Sequence, residues 1–415
     1  MRFFFYSHDG MGLGHVRRQI AIAAALERED PSVQVLLATG VDDVGGLGLP
    51  PNVDTLKLPG LRKIANGDYC SRRLGIPKNE LRQFRAAVLR AAVEAFQPDV
   101  VLVDKHPFGA KGELAPALNA ARSNGARLVL GLRDVLDDPA TVAKEWAQER
   151  LYERVPEYFS LVLVYGDPAV SDPLLGCPLS SALADRTQYC GYVVGPPGCV
   201  SCQDECSHLG DLEPIAHPSV LCTVGGGEDG SFLLKSFVAA AKAGGWKGVA
   251  VGGPLLCQDE SRELRQLATR AGVRFHSYIP CLSGLFAQID ALVCMGGYNT
   301  LLEAVSRGVP IICVPRTAPR SEQLIRARVF ATFKLLSLVL PDELSPERLG
   351  NEVTAALQQA RPTLIRRARR TLSFNGAQIA SRLLLSLRAR VPRSARSRLP
   401  ASVLVSRRPS LANPA

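Results

Sequence analysis

The sequence predicts an α/β protein with two Rossmann-like domains that face a cleft. At 415 residues the chain is longer than one typical hydrophobic core. A buried strand, a glycine loop and a helix follow one another at residues 3–28 and again at 219–243, which is a nucleotide-type start. We expect four segments: a first Rossmann-like domain (1–193), an interdomain segment rich in cysteine and proline (194–218), a second Rossmann-like domain (219–390) and a basic disordered tail (391–415).

In the first domain, short apolar runs indicate strands that are buried on both faces, as in parallel sheets. These runs are residues 3–6, 34–38, 55–58, 100–103, 127–130 and 161–164. Helices are predicted between them, at residues 16–28, 79–96 and 111–124.

The second domain repeats this alternation around a compact parallel β-α-β unit at residues 291–314. Asn299 or Thr300 is a suitable N-cap for its helix, and Gly308 is a suitable stop. Strands are predicted at residues 219–223, 248–251, 273–278, 291–294 and 310–314. Helices are predicted at residues 231–243, 282–288, 299–306 and 324–333, with two or three more in 346–387, interrupted at Pro362.

The net charge of +10 belongs to the end of the chain. Residues 361–415 contain thirteen arginines and no lysine or acidic residue, so removing those charges leaves about −3 for residues 1–360. A near-neutral body without basic–aromatic interleaving argues against nucleic acid as a partner. The arginine-rich tail either contacts an anionic membrane surface or is a solvated tail without a partner.

The start of the chain is too short for a signal peptide, and no apolar run is long enough to span a bilayer. We therefore expect a cytoplasmic protein, with membrane association at the inner face left open, whose eleven cysteines are mostly thiols. Four cysteines and His208 lie close together in the interdomain region. Their irregular spacing favours loop thiols without a ligand over a zinc site; the cysteines are Cys190, Cys199, Cys202 and Cys206.

The first glycine loop ends at a histidine. Gly10, Gly12 and Gly14 have GxGxG spacing, which differs from the GxGxxG of a dinucleotide site. His15 follows in the first turn of the predicted helix, where the helix dipole disfavours the imidazolium form. A neutral imidazole at this position could accept a proton from an acceptor hydroxyl, so His15 is the candidate general base.

Polar residues also follow two predicted strands of the first domain. Asp104 and His106 come after one strand, and Arg133 and Asp134 after the next. The carboxyl ends of parallel strands form the binding crevice of such sheets, so these residues are candidates for acceptor contact. The alternatives are that the first pair shapes its loop and that the second pair makes structural ion pairs. We see no DxD-type motif and expect neither a metal nor a cofactor.

In the second domain, glycine turns precede two helices. Gly296 and Gly297 leave a buried strand, so a ligand can approach the backbone and face the positive end of the helix. This arrangement favours an anion such as a diphosphate. Glu303, one turn further on, could accept hydrogen bonds from ribose hydroxyls.

The pattern Gly296-Gly297-x-Asn299-Thr300-x-x-Glu303, followed by Gly308-x-Pro310, Pro315 and Glu322-Gln323, resembles the nucleotide-sugar signature of GT-B glycosyltransferases. The family that adds N-acetylglucosamine to the peptidoglycan lipid precursor is the most similar. The resemblance implies that Glu303 holds the ribose, that Gln323 contacts the donor sugar, and that His15 is the base.

The resemblance extends to other parts of the chain. It implies that Gly225, Gly226 and Gly227 face the diphosphate and sugar, that Tyr278 and Ile279 contact the base, and that a late helix at 372–387 crosses back to the first domain. Two departures stand out. Met11 and Leu13 interrupt the paired glycines that the family has in its first loop, and Glu228 and Asp229 replace small polar residues in its second.

Together these observations predict a metal-independent, inverting glycosyltransferase that moves a sugar from a nucleotide-diphosphate donor, with UDP the expected nucleotide, to the hydroxyl of a small-molecule or lipid-linked acceptor. One alternative is a UDP-sugar epimerase that uses Asp104 or His106 as an additional acid or base. The other is a non-catalytic sugar-nucleotide-binding partner, in which the loss of His15 would change nothing.

Overall fold

The structure is a computed structural model that describes residues 1–7, 13–41, 44, 47–63, 69–175, 183–195, 218–279 and 282–387. The first half contains the strands β1 (Arg2–Tyr6), β2 (Gln34–Thr39), β3 (Val53–Lys57), β4 (Leu61–Lys63), β5 (Tyr69–Ser71), β6 (Val100–Asp104), β7 (Arg127–Arg133), β8 (Leu161–Tyr165) and β9 (Thr187–Tyr189). Its helices are α1 (Gly14–Glu29), α2 (Lys78–Phe96), α3 (Ala115–Ser123), α4 (Pro139–Gln148) and α5 (Leu151–Tyr158).

Seven of these strands form one parallel sheet in the order β3-β2-β1-β6-β7-β8-β9. In the central register, Phe3 lies opposite Val35 on one side and Val100 on the other. The predicted apolar runs end up with both faces covered, so the side chains of Phe3, Phe4 and Phe5 are fully buried. β4 and β5 form a separate antiparallel hairpin.

The second half contains β10 (Ser219–Thr223), β11 (Lys247–Val251), β12 (Arg274–His276), β13 (Ala291–Cys294), β14 (Ile311–Cys313) and β15 (Ser337–Leu338). Its helices are α6 (Ser231–Ala243), α7 (Gln258–Ala271), α8 (Tyr298–Ser306), α9 (Glu322–Thr332), α10 (Pro346–Leu357), α11 (Arg361–Thr371) and α12 (Gly376–Ser386). The strands form a parallel sheet in the order β12-β11-β10-β13-β14-β15. Two doubly wound parallel sheets confirm the predicted class of two Rossmann-like domains.

The two halves share one hydrophobic cluster, because α12 packs against α1 of the first half. Leu384 of α12 is fully buried there, and Arg382 of α12 donates a 2.9 Å hydrogen bond to Glu29. The backbone of Gly376 also donates to the carbonyl of Tyr192. The last helix is therefore part of the core of both halves.

Several elements differ from the sequence-based expectation. The helix expected at 111–124 is a short turn at Ala110–Gly112 followed by α3, because Lys111 and Gly112 adopt left-handed φ values of 50° and 82°. The N-cap of α8 is Gly297 and neither Asn299 nor Thr300. Pro362 lies in the first turn of α11, where a helix tolerates proline, and the interruption comes before it. The β4–β5 hairpin and the helices α4, α5 and α7 were not predicted.

Among the described residues, no helix combines the length and the apolar character that crossing a membrane requires. The tail 391–415 lies outside the described residues.

Candidate active site in the interdomain cleft

A cavity of about 510 Å³ lies in the cleft where the carboxyl ends of the two sheets meet. This volume is typical of sites for small molecules and cofactors. Most of the candidate residues line it: Gly14, His15, His106, Arg133, Gly225, Gly226, Gly227, Tyr278, Ile279, Gly297, Asn299, Thr300, Glu322 and Gln323.

Four described candidates are not among the lining residues: Asp104, Asp134, Gly296 and Glu303. Gly10, Gly12 and Met11 lie outside the described residues, as do Cys199, Cys202, Cys206 and His208.

His15 is held by a buried carboxylate. Its Nδ1 lies 3.1 Å from Oδ2 of Asp104, which ends β6 and is fully buried. The same nitrogen is 3.1 Å from the guanidinium of Arg18, which can only donate. Because Arg18 already donates to both oxygens of Asp104, at 3.0 and 2.7 Å, the consistent arrangement has the proton of His15 on Nδ1 and donated to Asp104. Nε2 then carries the lone pair that a base needs.

The surroundings of His15 and Asp104 keep the imidazole neutral and the carboxylate charged. Burial lowers the pKa of His15 to about 4, although the Asp104 carboxylate opposes this shift, so the imidazole is neutral at pH 7. Burial alone would raise the pKa of the Asp104 carboxyl, but Arg18 and His15 hold it well below its usual range. Asp104 is therefore an anion that can stabilise an imidazolium when His15 takes up a proton.

Arg18 is a site residue that the sequence analysis missed. It is buried between two aromatic rings, 5.2 Å from the centroid of Tyr165 and 5.1 Å from that of Tyr298. Tyr298 belongs to the second half, and its hydroxyl donates to the carbonyl of Tyr165 and accepts from the amide of Val193. The available signal was the i, i+3 spacing of His15 and Arg18, which places them on one helix face.

The opposite wall of the cavity is built from backbone. Gly225 and Gly227 adopt left-handed φ values of 66° and 90°, and a Cβ on Gly227 would lie 2.9 Å from the backbone of Gly253. The turn before α8 likewise uses Gly296, with a φ of 82°. No side chain caps the start of α8, and this end of the helix borders the cavity. The first backbone amides of α8 therefore remain available to a ligand there. Such a wall suits a diphosphate.

Arg316 binds the acidic side chains of this wall through hydrogen bonds. Arg316 donates to Oε1 of Glu322 at 2.6 Å and to Asp229 at 3.1 Å, and its backbone amide donates to the side chain of Gln323 at 3.1 Å. The negative charge of Asp229 is therefore compensated within the protein. Glu322 is buried, and its Oε2 has no hydrogen-bond partner in the described part of the chain.

Asp134 does not face the cavity. Both of its oxygens accept from Arg326 of α9, at 2.7 and 2.9 Å, and both side chains are almost completely buried. Arg326 also donates to the carbonyl of Gly296 at 3.3 Å. The predicted acceptor contact of Asp134 is therefore replaced by an ion pair that joins the halves and supports the glycine turn from behind.

Glu303 also differs from its expected place. It is 8% exposed and does not line the cavity, and its Oε1 lies 4.0 Å from the position that a Cβ on Gly195 would occupy. Its carboxylate lies near Gly195 of the interdomain segment, one turn of α8 beyond the cavity-lining Asn299 and Thr300. The assignment of Glu303 to the ribose remains a prediction.

The cysteines do not assemble a metal site in the described part of the chain, where no group of three His, Cys, Asp or Glu residues could hold an ion. Cys190 is fully buried in the shared hydrophobic cluster, and burial raises the pKa of its thiol to about 12. It therefore behaves as a small apolar core residue.

Comparisons with known proteins agree with this geometry. A family model described as the Glycosyltransferase family 28 C-terminal domain matches residues 252–383. A protein of Nocardia farcinica (strain IFM 10152), described as UDP-N-acetylglucosamine--N-acetylmuramyl-(pentapeptide) pyrophosphoryl-undecaprenol N-acetylglucosamine transferase, is 25% identical over 374 residues, which cover 83% of this chain and 84% of that protein. A protein of the same description from Corynebacterium efficiens is 30% identical over 137 residues, which cover 33% of this chain and only 36% of that protein.

Solved structures share the overall fold. MurG of Acinetobacter baumannii has a TM-score of 0.55 at 16% identity, with 93% of this chain and 100% of that chain covered. The calicheamicin glycosyltransferase CalG4 has a TM-score of 0.57 at 19% identity, with coverages of 94% and 99%.

Proposed function

We propose that this chain, which is similar to GT-B glycosyltransferases of the MurG-like family, transfers a sugar, with inversion, from a UDP-sugar to the hydroxyl of a lipid-linked acceptor. One observation carries the proposal. His15, which Asp104 holds from behind, and the glycine turns of the second half border the same cavity. In this scheme residues 1–193 bind the acceptor and residues 219–390 bind the donor.

The donor wall is the second-half side of the cavity. The start of α8 and the turn Gly225–Gly227 present amides to the diphosphate, and Gln323 and Glu322 are placed for the sugar hydroxyls. Tyr278 and Ile279 line the part of the cavity assigned to the base. UDP is chosen because the named relatives use UDP-N-acetylglucosamine.

The proposed reaction is a direct displacement. The acceptor oxygen forms a bond to the anomeric carbon as the bond from that carbon to the diphosphate breaks, and the electron pair leaves with the diphosphate. The hydroxyl proton passes to Nε2 of His15, and Asp104 stabilises the resulting imidazolium through Nδ1. Backbone amides at the helix start stabilise the charge on the departing diphosphate.

A lipid-linked acceptor is supported by exposed apolar side chains of the first half as well as by the relatives' names. Leu74, Ile76 and Phe84 are 47%, 36% and 50% exposed on the segment that follows the β4–β5 hairpin. Basic residues accompany them, namely Arg72, Arg73, Lys78 and Arg82. Apolar side chains among cations suit peripheral contact with an anionic membrane.

The comparisons do not support the epimerase alternative, since the matched family model and the named relatives are transferases. A non-catalytic sugar-nucleotide binder would use the same donor wall but would not need the buried His15–Asp104 pair.

The test is the release of UDP from UDP-N-acetylglucosamine in the presence of a polyprenyl-linked acceptor, measured for the wild type and for His15→Ala. We expect kcat to fall by about 10²- to 10⁴-fold, the range for loss of a general base, while the Kd for UDP stays within twofold. Turnover that survives the substitution would contradict the role of His15. UDP binding without any turnover in the wild type would favour the non-catalytic binder.

A further inference from the structure

Arg133 differs from four other arginines of the cleft. Arg18 contacts Asp104, Arg316 contacts Glu322 and Asp229, Arg320 contacts Asp137 and Glu145, and Arg326 contacts Asp134. Each of these guanidinium groups therefore has a carboxylate of the protein as its counter-charge. Within the described part of the chain, no hydrogen bond or ion pair involves the guanidinium of Arg133, and its Nε is buried without a partner.

The position of Arg133 makes this charge costly. The residue ends β7 and lines the cavity, and the adjacent Asp134, its natural partner, has both oxygens occupied by Arg326. Burial and the positive charges of Arg326 and Arg18 lower the pKa of Arg133 to about 10, although the carboxylates of Glu322 and Asp134 oppose this shift. The side chain is nonetheless cationic at pH 7, and a cation that lacks a direct ion pair in a partly buried site is stabilised when a counter-ion binds.

The location indicates which anion fits. Arg133 lines the same cavity as His15, the candidate base, and Glu322, on the donor wall, and its positive charge acts on the pKa of both. A planar guanidinium matches phosphate oxygens with two parallel hydrogen bonds. Lys105, which also lines the cavity and acts on Glu322, adds a second positive charge to the same region.

We propose that Arg133 binds a phosphate oxygen of a diphosphate at the reacting centre. This inference rests on the proposed function and extends it with a phosphate contact from the acceptor domain. The phosphate belongs either to the leaving nucleoside diphosphate or to a diphosphate-linked acceptor, and the chemistry of the contact is the same in both cases.

The experiment compares the wild type, Arg133→Gln and the matched surface control Arg90→Gln, which removes the same charge from an exposed pair with Glu94. Calorimetry measures the Kd of each ligand in two arms. One arm compares UDP with uridine, and the other compares farnesyl diphosphate with farnesol. We expect Arg133→Gln to weaken at least one diphosphate by about 10- to 100-fold, the equivalent of one charge-assisted contact, while its neutral counterpart and the control change less than twofold.

The two arms show whether Arg133 contacts the donor or the acceptor diphosphate. They also distinguish failure of this inference from failure of the proposed function. Loss of UDP affinity places the contact on the donor, and loss of farnesyl diphosphate affinity places it on the acceptor. If the wild type binds either diphosphate and Arg133→Gln binds both as well as the wild type does, the inference is wrong and the proposed function stands. If the wild type binds neither, the proposed function fails and the inference fails with it. Arg133→Lys, which keeps the charge but loses the paired geometry, should lose part of the affinity and replaces Arg133→Gln if that variant does not fold.

Discussion

The two walls of the cleft differ in whether side chains or backbone groups form them. On the first-half wall the chemistry depends on buried charged side chains, with His15 and Arg18 of α1 gathered around Asp104 of β6. On the second-half wall the shape depends on backbone, with left-handed glycines at Gly225 and Gly227 and an uncapped helix start at α8.

This difference affects how each wall responds to change. A side-chain cluster loses function when one partner is removed, because the others are left buried and unpaired. A backbone wall depends instead on conformations that only glycine adopts without strain. The buried pair Asp134–Arg326 joins the two systems, since Asp134 comes from the first half and Arg326 also holds the carbonyl of Gly296.

The largest expected effect is the loss of stability when the Asp134–Arg326 pair is broken. Arg326→Met removes the guanidinium that pairs with both oxygens of Asp134 and leaves this buried carboxylate without that counter-charge. We expect the free energy of unfolding to fall by about 3–5 kcal/mol, the range for breaking a buried pair from one side. Urea unfolding monitored by tryptophan fluorescence measures the change.

The double variant Asp134→Leu/Arg326→Met is the matched control. It removes both charges together, so it should recover most of the loss, and it should be more stable than Arg326→Met alone. A single variant within 1 kcal/mol of the wild type would mean that the pair does not hold the halves together.

Local sequence patterns predicted the two parallel sheets and the glycine turns of the second-half wall. Apolar runs, glycine turns and helix starts each occupy consecutive residues, and they led to the parallel sheets and to the cavity-lining Gly225 and Gly297. Gln323 was a candidate through the resemblance to GT-B glycosyltransferases. Candidates at strand ends, such as Arg133, were found by the general rule that crevices form there.

The pairings on the first-half wall could not be predicted in the same way. Arg18 and Asp104 are 86 residues apart, and Asp134 and Arg326 are 192 residues apart. Which arginine meets which carboxylate depends on how α9 docks on β7 and how α1 lies over β6, and no local pattern encodes this. For the same reason the sequence could not decide whether Asp134 lines the cavity or makes a structural ion pair, and the structure shows that it pairs with Arg326.

An intermediate effect is expected in the pH dependence of stability, which probes the first-half wall. The pKa of His15 is about 4 in the folded state and 6.5 when unperturbed. Between these values the unfolded state binds more protons, so stability decreases as the pH falls from 6.5 to 4, by up to about 3 kcal/mol for this one group. Chemical unfolding at several pH values measures this slope.

The control for this slope is His15→Gln, which cannot titrate. Other groups, including His276, whose pKa burial also lowers, contribute equally to both proteins. The wild-type curve should therefore fall more steeply than that of the variant over this interval and run parallel to it above pH 7. Parallel curves throughout would show that His15 is not buried next to Asp104 as the structure has it.

The smallest effect separates backbone conformation from steric space on the second-half wall. Gly225 and Gly227 both have left-handed φ values, but a Cβ on Gly225 would meet nothing within 4 Å, whereas a Cβ on Gly227 would lie 2.9 Å from Gly253. Gly225→Ala should cost about 1 kcal/mol from the left-handed conformation alone. Gly227→Ala carries the same conformational strain and must also displace backbone, so its Tm and its affinity for UDP should both fall further than those of Gly225→Ala. Equal losses for the two variants would mean that the loop moves freely, and a freely moving loop would not be the rigid backbone wall that distinguishes this side of the cleft from the other.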